Sequence, residues 1–397
     1  DIYSFTLSLA HEFDAQQQVA GAELLLQDLI LLPAEMDAAN ADDSELKSAA
    51  ELLYIDLPHM NSKQLRTYRL VVLDFVHRLL TSQQFRSKYR TADLTPEVSQ
   101  QLSSAVSTVL ELITKMSTQY GQLTQKQRLT TQASDRAWKQ SIHIAYNVID
   151  DVNSLMDRRS FVQTVAKLLA QTDYKIRRKV LALAQKRIEA FDTRLYEADA
   201  KPIDDMLELV GSVVDVVDEK VDESAEGFSQ KEFVANKQAA LLCVAAAARK
   251  FASLRPVLFT KLVKRVSGQE SLDSAHPVVV SAALVTLAVL CSELGSRLIP
   301  SLPMFLPSIL KHMHAVTGNY RSASADDVAV LLSAMGAMET VVENMSAFLV
   351  PSLAPLFTCL LNPVLRAVVE EKAEESDDES EDSVLDSLRS QVLAKVD

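Results

Sequence analysis

The densest run of chemistry-bearing residues in the chain is basic: Lys175, Arg177, Arg178, Lys179, Lys186 and Arg187. At about 100° per residue on a helix, Lys175, Arg178, Lys179 and Lys186 fall roughly along one side. Such a row suits contact with nucleic-acid phosphates. It suits equally well a solvated helix face, with Arg177 or Arg178 paired to Asp173 in a turn ladder between helix pairs. Lys261, Lys264 and Arg265 make a smaller patch, suited to RNA or partner contact or to a plain polar face. Neither patch interleaves aromatic and basic residues as base-stacking surfaces do.

Residues suited to catalysis are present but do not assemble into a motif. His312 and His314 stand two apart, which on a helix turns them about 200° away from each other. No cysteine pair or His-Glu-x-x-His pattern accompanies them, so no metal site is expected. The pairs Asp150-Asp151 and Asp204-Asp205 lie on amphipathic stretches without a Gly-rich loop or a nucleophile elbow beside them. They read as solvated carboxylates, and Asp204 and Asp205 suit the positive end of a helix dipole. No cofactor, no small-molecule substrate and no enzymatic activity are expected. Ser376 precedes Asp-Asp-Glu and Ser380 precedes Glu-Asp. Both are candidate phosphorylation sites for an acidophilic kinase, where added phosphate would extend the negative tract toward basic partners. The alternative is a purely solubilising loop.

Cys243, Cys291 and Cys359 are far apart, each in an apolar run. That fits buried thiols in a reducing compartment rather than a disulfide framework. Trp138, the single tryptophan, shares helical spacing with Ile142, Ala145 and Ile149. A core role is expected over an interface anchor.

These residues must be positioned by helices. Of 397 residues, 48% are hydrophobic but only 6% aromatic, and 8 are Gly. Leu, Val and Ala therefore supply the core, and the chain is too poor in Gly for many tight hairpins. Residues 62–81 are the clearest case of helical period: Leu65, Tyr68, Val72, Phe75, Val76 and Leu79 share a face, with Arg66, Arg69, Asp74 and Arg78 mainly off it. Similar runs cover 15–31, 97–119, 134–156, 160–170, 175–191, 203–218, 231–251, 256–266, 277–294, 301–314, 325–345 and 351–369. No strand pattern appears. Residues 219–232 and 317–326 read as loops between helices.

Repetition is visible near the C-terminal end. LIPSLPMFLPSIL (298–310) matches LVPSLAPLFTCLL (349–361), so Pro300 aligns with Pro351 at an offset of 51 residues. The Ala-rich stretch 279–294 matches 330–345 at the same offset, and residues 238–266 repeat the plan with Pro256. Each unit is an Ala-rich helix, a turn, a proline near the start of a second helix, then an apolar helix. Proline is tolerated there because the first turn of a helix has no acceptor for its missing N–H. Periods of about 40–50 residues belong to HEAT and armadillo arrays. The expected fold is all-α, an α-solenoid of HEAT-type helix pairs without a sheet, over residues 1–369.

Net charge is −13. Nine carboxylates against Lys372 in 370–382 supply −8 of it. Like charges at that density cannot bury enough apolar surface to order, so 370–383 is expected to be a disordered acidic loop. Residues 384–397 return to a helical pattern and are expected to open a further repeat. No uninterrupted apolar run of about 18 residues suggests a membrane span. The first residues lack a signal-peptide pattern. The absent initiator Met suggests an internal section of a longer protein.

The segment 138–188, with WKQSIHIAYNVIDDVNSLMDRRSFVQTVAKLLAQTDYKIRRKVLALAQKRI, resembles the C-terminal region of a family of large HEAT-repeat nucleolar proteins of the small-subunit processome. These are the HEAT repeat-containing protein one family of animals and the U-three-snoRNA-associated protein ten family of fungi. NKQAALLCVAAAARKFA (236–252), LRTYRLVVLDFVHRLLTSQQF (65–85) and the two Pro-led repeats extend the resemblance over most of 65–369. It implies a non-catalytic scaffold of early ribosome assembly in the nucleolus, working on the 5′ external spacer of pre-ribosomal RNA. It implies as partners other processome proteins, WD40-propeller factors among them, and the snoRNA-containing particle. The family carries no catalytic residues to transfer. An importin-like carrier is the alternative, but it predicts a repeated acidic and Trp-rich inner surface that this chain lacks.

Overall fold

The computed structural model describes residues 2–32, 62–91, 96–125, 132–171, 173–196, 201–220, 229–318, 323–359 and 361. All regular structure among them is helical. The helices are α1 Ile2–Ala10, α2 Ala15–Leu31, α3 Ser62–Thr81, α4 Gln83–Thr91, α5 Pro96–Gln125, α6 Gln132–Leu155, α7 Arg158–Leu169 and α8 Tyr174–Ala190. They continue as α9 Lys201–Asp218, α10 Gln230–Phe251, α11 Pro256–Val266, α12 Pro277–Leu294, α13 Leu302–Gly318 and α14 Ala325–Met345. A last helix, α15, covers residues 353–359. The acidic run with Ser376 and Ser380, and the segment 384–397, lie outside the described residues.

Helix ends follow local chemistry. Asp14 caps α2, accepting from Gln17 N at 2.8 Å while the Gln17 side chain accepts from Asp14 N at 3.2 Å. Ser324 and Asp327 repeat that reciprocal box at the start of α14. Pro256 and Pro277 stand at the first turns of α11 and α12. The other two repeat prolines differ from expectation. Pro300 lies in the 3-10 turn Gly295–Ser301, and Pro351 in the 3-10 turn Val350–Ser352. Both therefore set up the second helix of a pair from just outside it. Gly295 ends α12 at φ 52°, a left-handed value that a side chain would disfavour.

The chain forms two compact units, residues 1–168 and 169–397. In the first, α2 packs on α3 and α5 on α6, and these pairs stack α2 on α5 and α3 on α6. Leu73, Val76, Val109, Ile113, Ala145 and Val148 are buried between them. In the second, α8, α10, α12 and α14 stack consecutively as one layer, and α9, α11 and α13 each pack on a first-layer helix from the second layer. Small side chains make that stacking close: Ala240 and Ala245–Ala248 of α10, and Ala282 and Ala283 of α12, are all buried. Polar rungs tie the first layer together. Asn236 Nδ2 donates to Tyr174 O at 2.7 Å, Thr286 Oγ1 to Leu241 O at 3.0 Å, and the hydroxyls of Ser281 and Ser333 meet at 2.7 Å. A pair of helices cannot bury its own apolar face, so stacking is what stabilises each repeat. The fold is an all-α solenoid of HEAT-type pairs.

Two segments meet the length and composition of a membrane span. Pro277–Thr317 and Ala325–Phe348 each contain an 18-residue stretch, at mean hydropathy 2.1 and 1.3, long and apolar enough by composition to cross a membrane. Of these stretches, 56% of the first and 33% of the second are buried against the rest of the protein. A helix in the interior of an array reads as apolar all round, which is why composition alone does not separate it from a span.

Candidate partner and nucleic-acid interface

Helix α8 presents the expected basic row. Asp173 caps it, its carboxylate accepting from Lys175 N at 2.8 Å and Ile176 N at 3.2 Å. Lys175, Arg178 and Lys186 are exposed, and Lys179 is half-buried beside them. Arg178 lies 3.8 Å from Glu232 of α10. Burial pulls the Lys179 amine down to about 8, with Lys175 and Arg178 adding to the depression and Asp173 and Glu232 opposing it.

That shift has a checkable consequence. A lysine lowered in the folded state pays for its charge below pH 8, and the penalty is relieved as pH rises from about 8 toward the unfolded value of about 10.5. At pH 8 a large share of folded Lys179 is the neutral nucleophile. In brief acylation at pH 8, Lys179 should label several-fold faster than Lys175 or Lys186, read by peptide mass spectrometry. Equal rates at all three would contradict the placement.

The turn ladder has a different partner from the one expected. The Asp173 carboxylate serves the helix N-terminus, whereas Arg177 is buried and forks onto Glu219, with Nη1–Oε1 at 3.0 Å and Nη2–Oε2 at 2.6 Å. Its guanidinium also lies 5.3 Å from the Tyr174 ring centroid. Glu219 directly follows the last turn of α9, so this fork closes one helix pair.

The next pair repeats the device with residues that sequence reasoning missed. Lys237 of α10 is buried, with Nζ 2.6 Å from Glu270 Oε2 and 3.3 Å from Glu270 O, in the turn after α11. It lies 5.1 Å from the Phe233 ring centroid. A third buried cation, Arg69 of α3, sits 4.4 Å over the Trp138 ring. The signal was in the spacing. Leu65-Arg69-Leu73, Arg177-Leu181-Ala184 and Phe233-Lys237-Leu241 each place the cation within an apolar stripe. Arg69 in particular lies on the buried face and not off it.

On α11, Lys261, Lys264 and Arg265 are all exposed. Arg265 is engaged by α9, through Asp218 and through Asp215 at 3.4 Å. Arg255 meets Asp204 at 3.0 Å along the same seam. Arg265 therefore works as a tie between second-layer helices. Lys261 and Lys264 remain directed outward.

The other candidates take structural places. His312 Nε2 lies 2.8 Å from Leu272 O, and His314 is exposed. No group of three or more His, Cys, Asp or Glu converges to hold a metal among the described residues. Asp151 contacts His77 at 2.6 Å, and burial nonetheless raises its carboxyl above the ordinary range. Trp138 is buried against Tyr120, with ring centroids 6.5 Å apart. All three cysteines are free and buried, and burial pushes the Cys243 and Cys291 thiols up to about 12.

No family profile matches the chain. Individual proteins do. The chain is 25% identical over 322 residues to a HEAT repeat-containing protein 1 homolog of Dictyostelium discoideum, an alignment covering 77% of the chain and 14% of that protein. It is 26% identical over 368 residues to human HEAT repeat-containing protein 1, covering 90% of the chain and 16% of the relative. The chain thus spans about a sixth of the length of these relatives. Among solved structures, that of Kap121p covers 89% of the chain at 13% identity with a TM-score of 0.30.

Proposed function

We propose that this chain, similar over most of its length to HEAT repeat-containing protein 1, is part of a non-catalytic scaffold of early ribosome assembly in the nucleolus. The observation that carries the reading is the extent of that similarity, 90% of the chain in the human case. It agrees with the ordered set of segments whose resemblance to a processome family was drawn from the sequence. On this reading the protein is a subunit of the small-subunit processome and organises assembly factors on the 5′ external spacer of pre-ribosomal RNA. Its partners are other processome proteins, WD40-propeller factors among them, within the snoRNA-containing particle.

Physical chemistry supports the binding role. A stacked array presents long helical surfaces whose side chains vary freely without disturbing the core. The α8 row of Lys175, Arg178, Lys179 and Lys186 offers cations to phosphate, as do Lys261 and Lys264 of α11. Each phosphate neutralised releases counterions, so such contact is steeply salt-dependent.

Cross-linked purification of the tagged protein from growing cells tests this. Recovery of pre-ribosomal RNA together with propeller proteins is the expected result. Recovery of a small GTPase and transport cargo instead would replace the scaffold with a carrier. Lys175→Glu, Arg178→Glu and Lys186→Glu together should lower RNA cross-linking at α8 about tenfold or more while leaving the protein partners bound. Unchanged cross-linking there would remove α8 from the RNA interface.

A further inference from the structure

Helix α14 carries an apolar stripe that nothing covers among the described residues. Val328, Leu332, Met335 and Val342 are all exposed, Leu332 at 64%. At the repeat offset of 51 residues, Met335 and Val342 correspond to Leu284 and Cys291 of α12. Met335 and Val342 are 43% and 40% exposed, whereas Leu284 and Cys291 are at 0% and 1%. Leu353 shows the same contrast with its counterpart Leu302, at 37% against 6%. These positions are closed in one repeat and open in the next. α10 lies between α8 and α12, and α12 lies between α10 and α14, while among the described residues α14 has a first-layer neighbour on one side. Its open stripe continues an interface already built three times.

The chain itself contains a segment of matching pattern. α12 begins 47 residues after α10, and α14 begins 48 after α12. Val384 follows Ala325 by 59 residues, but thirteen of those are the acidic run 370–382, leaving an interval of 46. VLDSLRSQVLAKVD then places Val384, Leu385, Leu388, Val392 and Val396 at spacings of three and four, one apolar helix face. Arg389 and Lys395 of this segment complement the exposed carboxylates Glu339 and Glu343 of α14. Reach is ample. The 22 residues between 361 and 384 span up to about 70 Å when extended, against about 30 Å for the length of α14 and about 10 Å between packed helices.

We propose that the α14 stripe of Val328, Leu332, Met335 and Val342 is the seat of residues 384–396, docked as the next first-layer helix of the array. The acidic run is then an insertion looped out between α15 and that helix. Glu339 and Glu343 on the same surface disfavour a bilayer, because an ionised carboxylate is strongly disfavoured in hydrocarbon.

Hydrogen exchange on the whole 397-residue chain tests the docking. Amides of α14 should exchange about tenfold or more slowly in the parent than in Leu388→Asp/Val392→Asp, which alters only the segment. Reciprocally, Leu332→Asp, at an exposed position that does not threaten folding, should speed exchange in 384–396. Identical exchange of α14 in the parent and the segment variant would overturn the proposal. Protection of α14 that disappears on dilution to a monomeric concentration would assign the stripe to a second copy. Protection gained only on adding phosphatidylcholine vesicles would assign it to a bilayer. Either of these results also overturns the proposal.

Discussion

Trp138→Ala lowers the stability of the first unit by about 3–5 kcal/mol, the usual cost of removing a fully buried aromatic residue. The residue is 1% exposed and lies between Tyr120 of α5 and the Arg69 guanidinium of α3. Its deletion opens a cavity where three helices meet and leaves Arg69 without its aromatic face. A cation over an indole in a desolvated site contributes about 2 kcal/mol or more. Trp138→Phe keeps a ring in place and should lose roughly half as much. Trp138 is the only tryptophan, so its fluorescence reports the first unit in the parent. Hydrogen exchange in α3, α5 and α6 gives the same readout in the variants. Exchange there should accelerate about a hundredfold or more in Trp138→Ala, with α10 and α12 unaffected. A loss under about 1 kcal/mol would mean that the indole does not hold α3, α5 and α6 together.

Much of the fold is legible in the sequence because helical period and proline position are local signals. The runs at 134–156, 203–218, 231–251, 256–266, 277–294 and 325–345 all fall on helices, with bounds shifted by at most two residues. Two helices escape that reading. α1, IYSFTLSLA, alternates too little to display a polar face, and α4, QQFRSKYRT, offers only Phe85 and Tyr89 as an apolar pair. The candidate interface is legible only in part. Periodicity places Lys175, Arg178 and Lys186 correctly on an exposed face. It cannot tell whether a cation inside an apolar stripe is an error of registration or a buried partner, because the answer depends on a carboxylate far along the chain. Glu219 lies 42 residues beyond Arg177, and Glu270 lies 33 beyond Lys237. Neither distance is predictable from one repeat, since loop length changes from unit to unit. The Asp173 pairing failed for a related reason. A carboxylate just before a helix meets free N–H groups before any side chain reaches it, and two backbone bonds orient it more firmly than one exposed ion pair would.

The Arg177 fork supplies the second large effect. Arg177→Met keeps the aliphatic volume, removes two charge-assisted hydrogen bonds, and should destabilise the second unit by about 2–3 kcal/mol. The value stays below the 3–5 kcal/mol of a fully buried pair because the Glu219 side chain is 30% exposed and water takes over part of its solvation. Adding Glu219→Met to Arg177→Met should restore most of the loss, because neither desolvated charge then remains. A coupling of about 1.5 kcal/mol or more between the two sites, read from urea midpoints by circular dichroism, is the expected outcome. Strict additivity would mean that the fork is a surface ornament with no part in closing the α8–α9 pair. Lys237 with Glu270 offers the internal control. Lys237 is equally buried, but Glu270 is 39% exposed, so Lys237→Met should cost less than Arg177→Met. The order of the two losses follows from how much water each glutamate can recover, which makes it a direct reading of desolvation along the array.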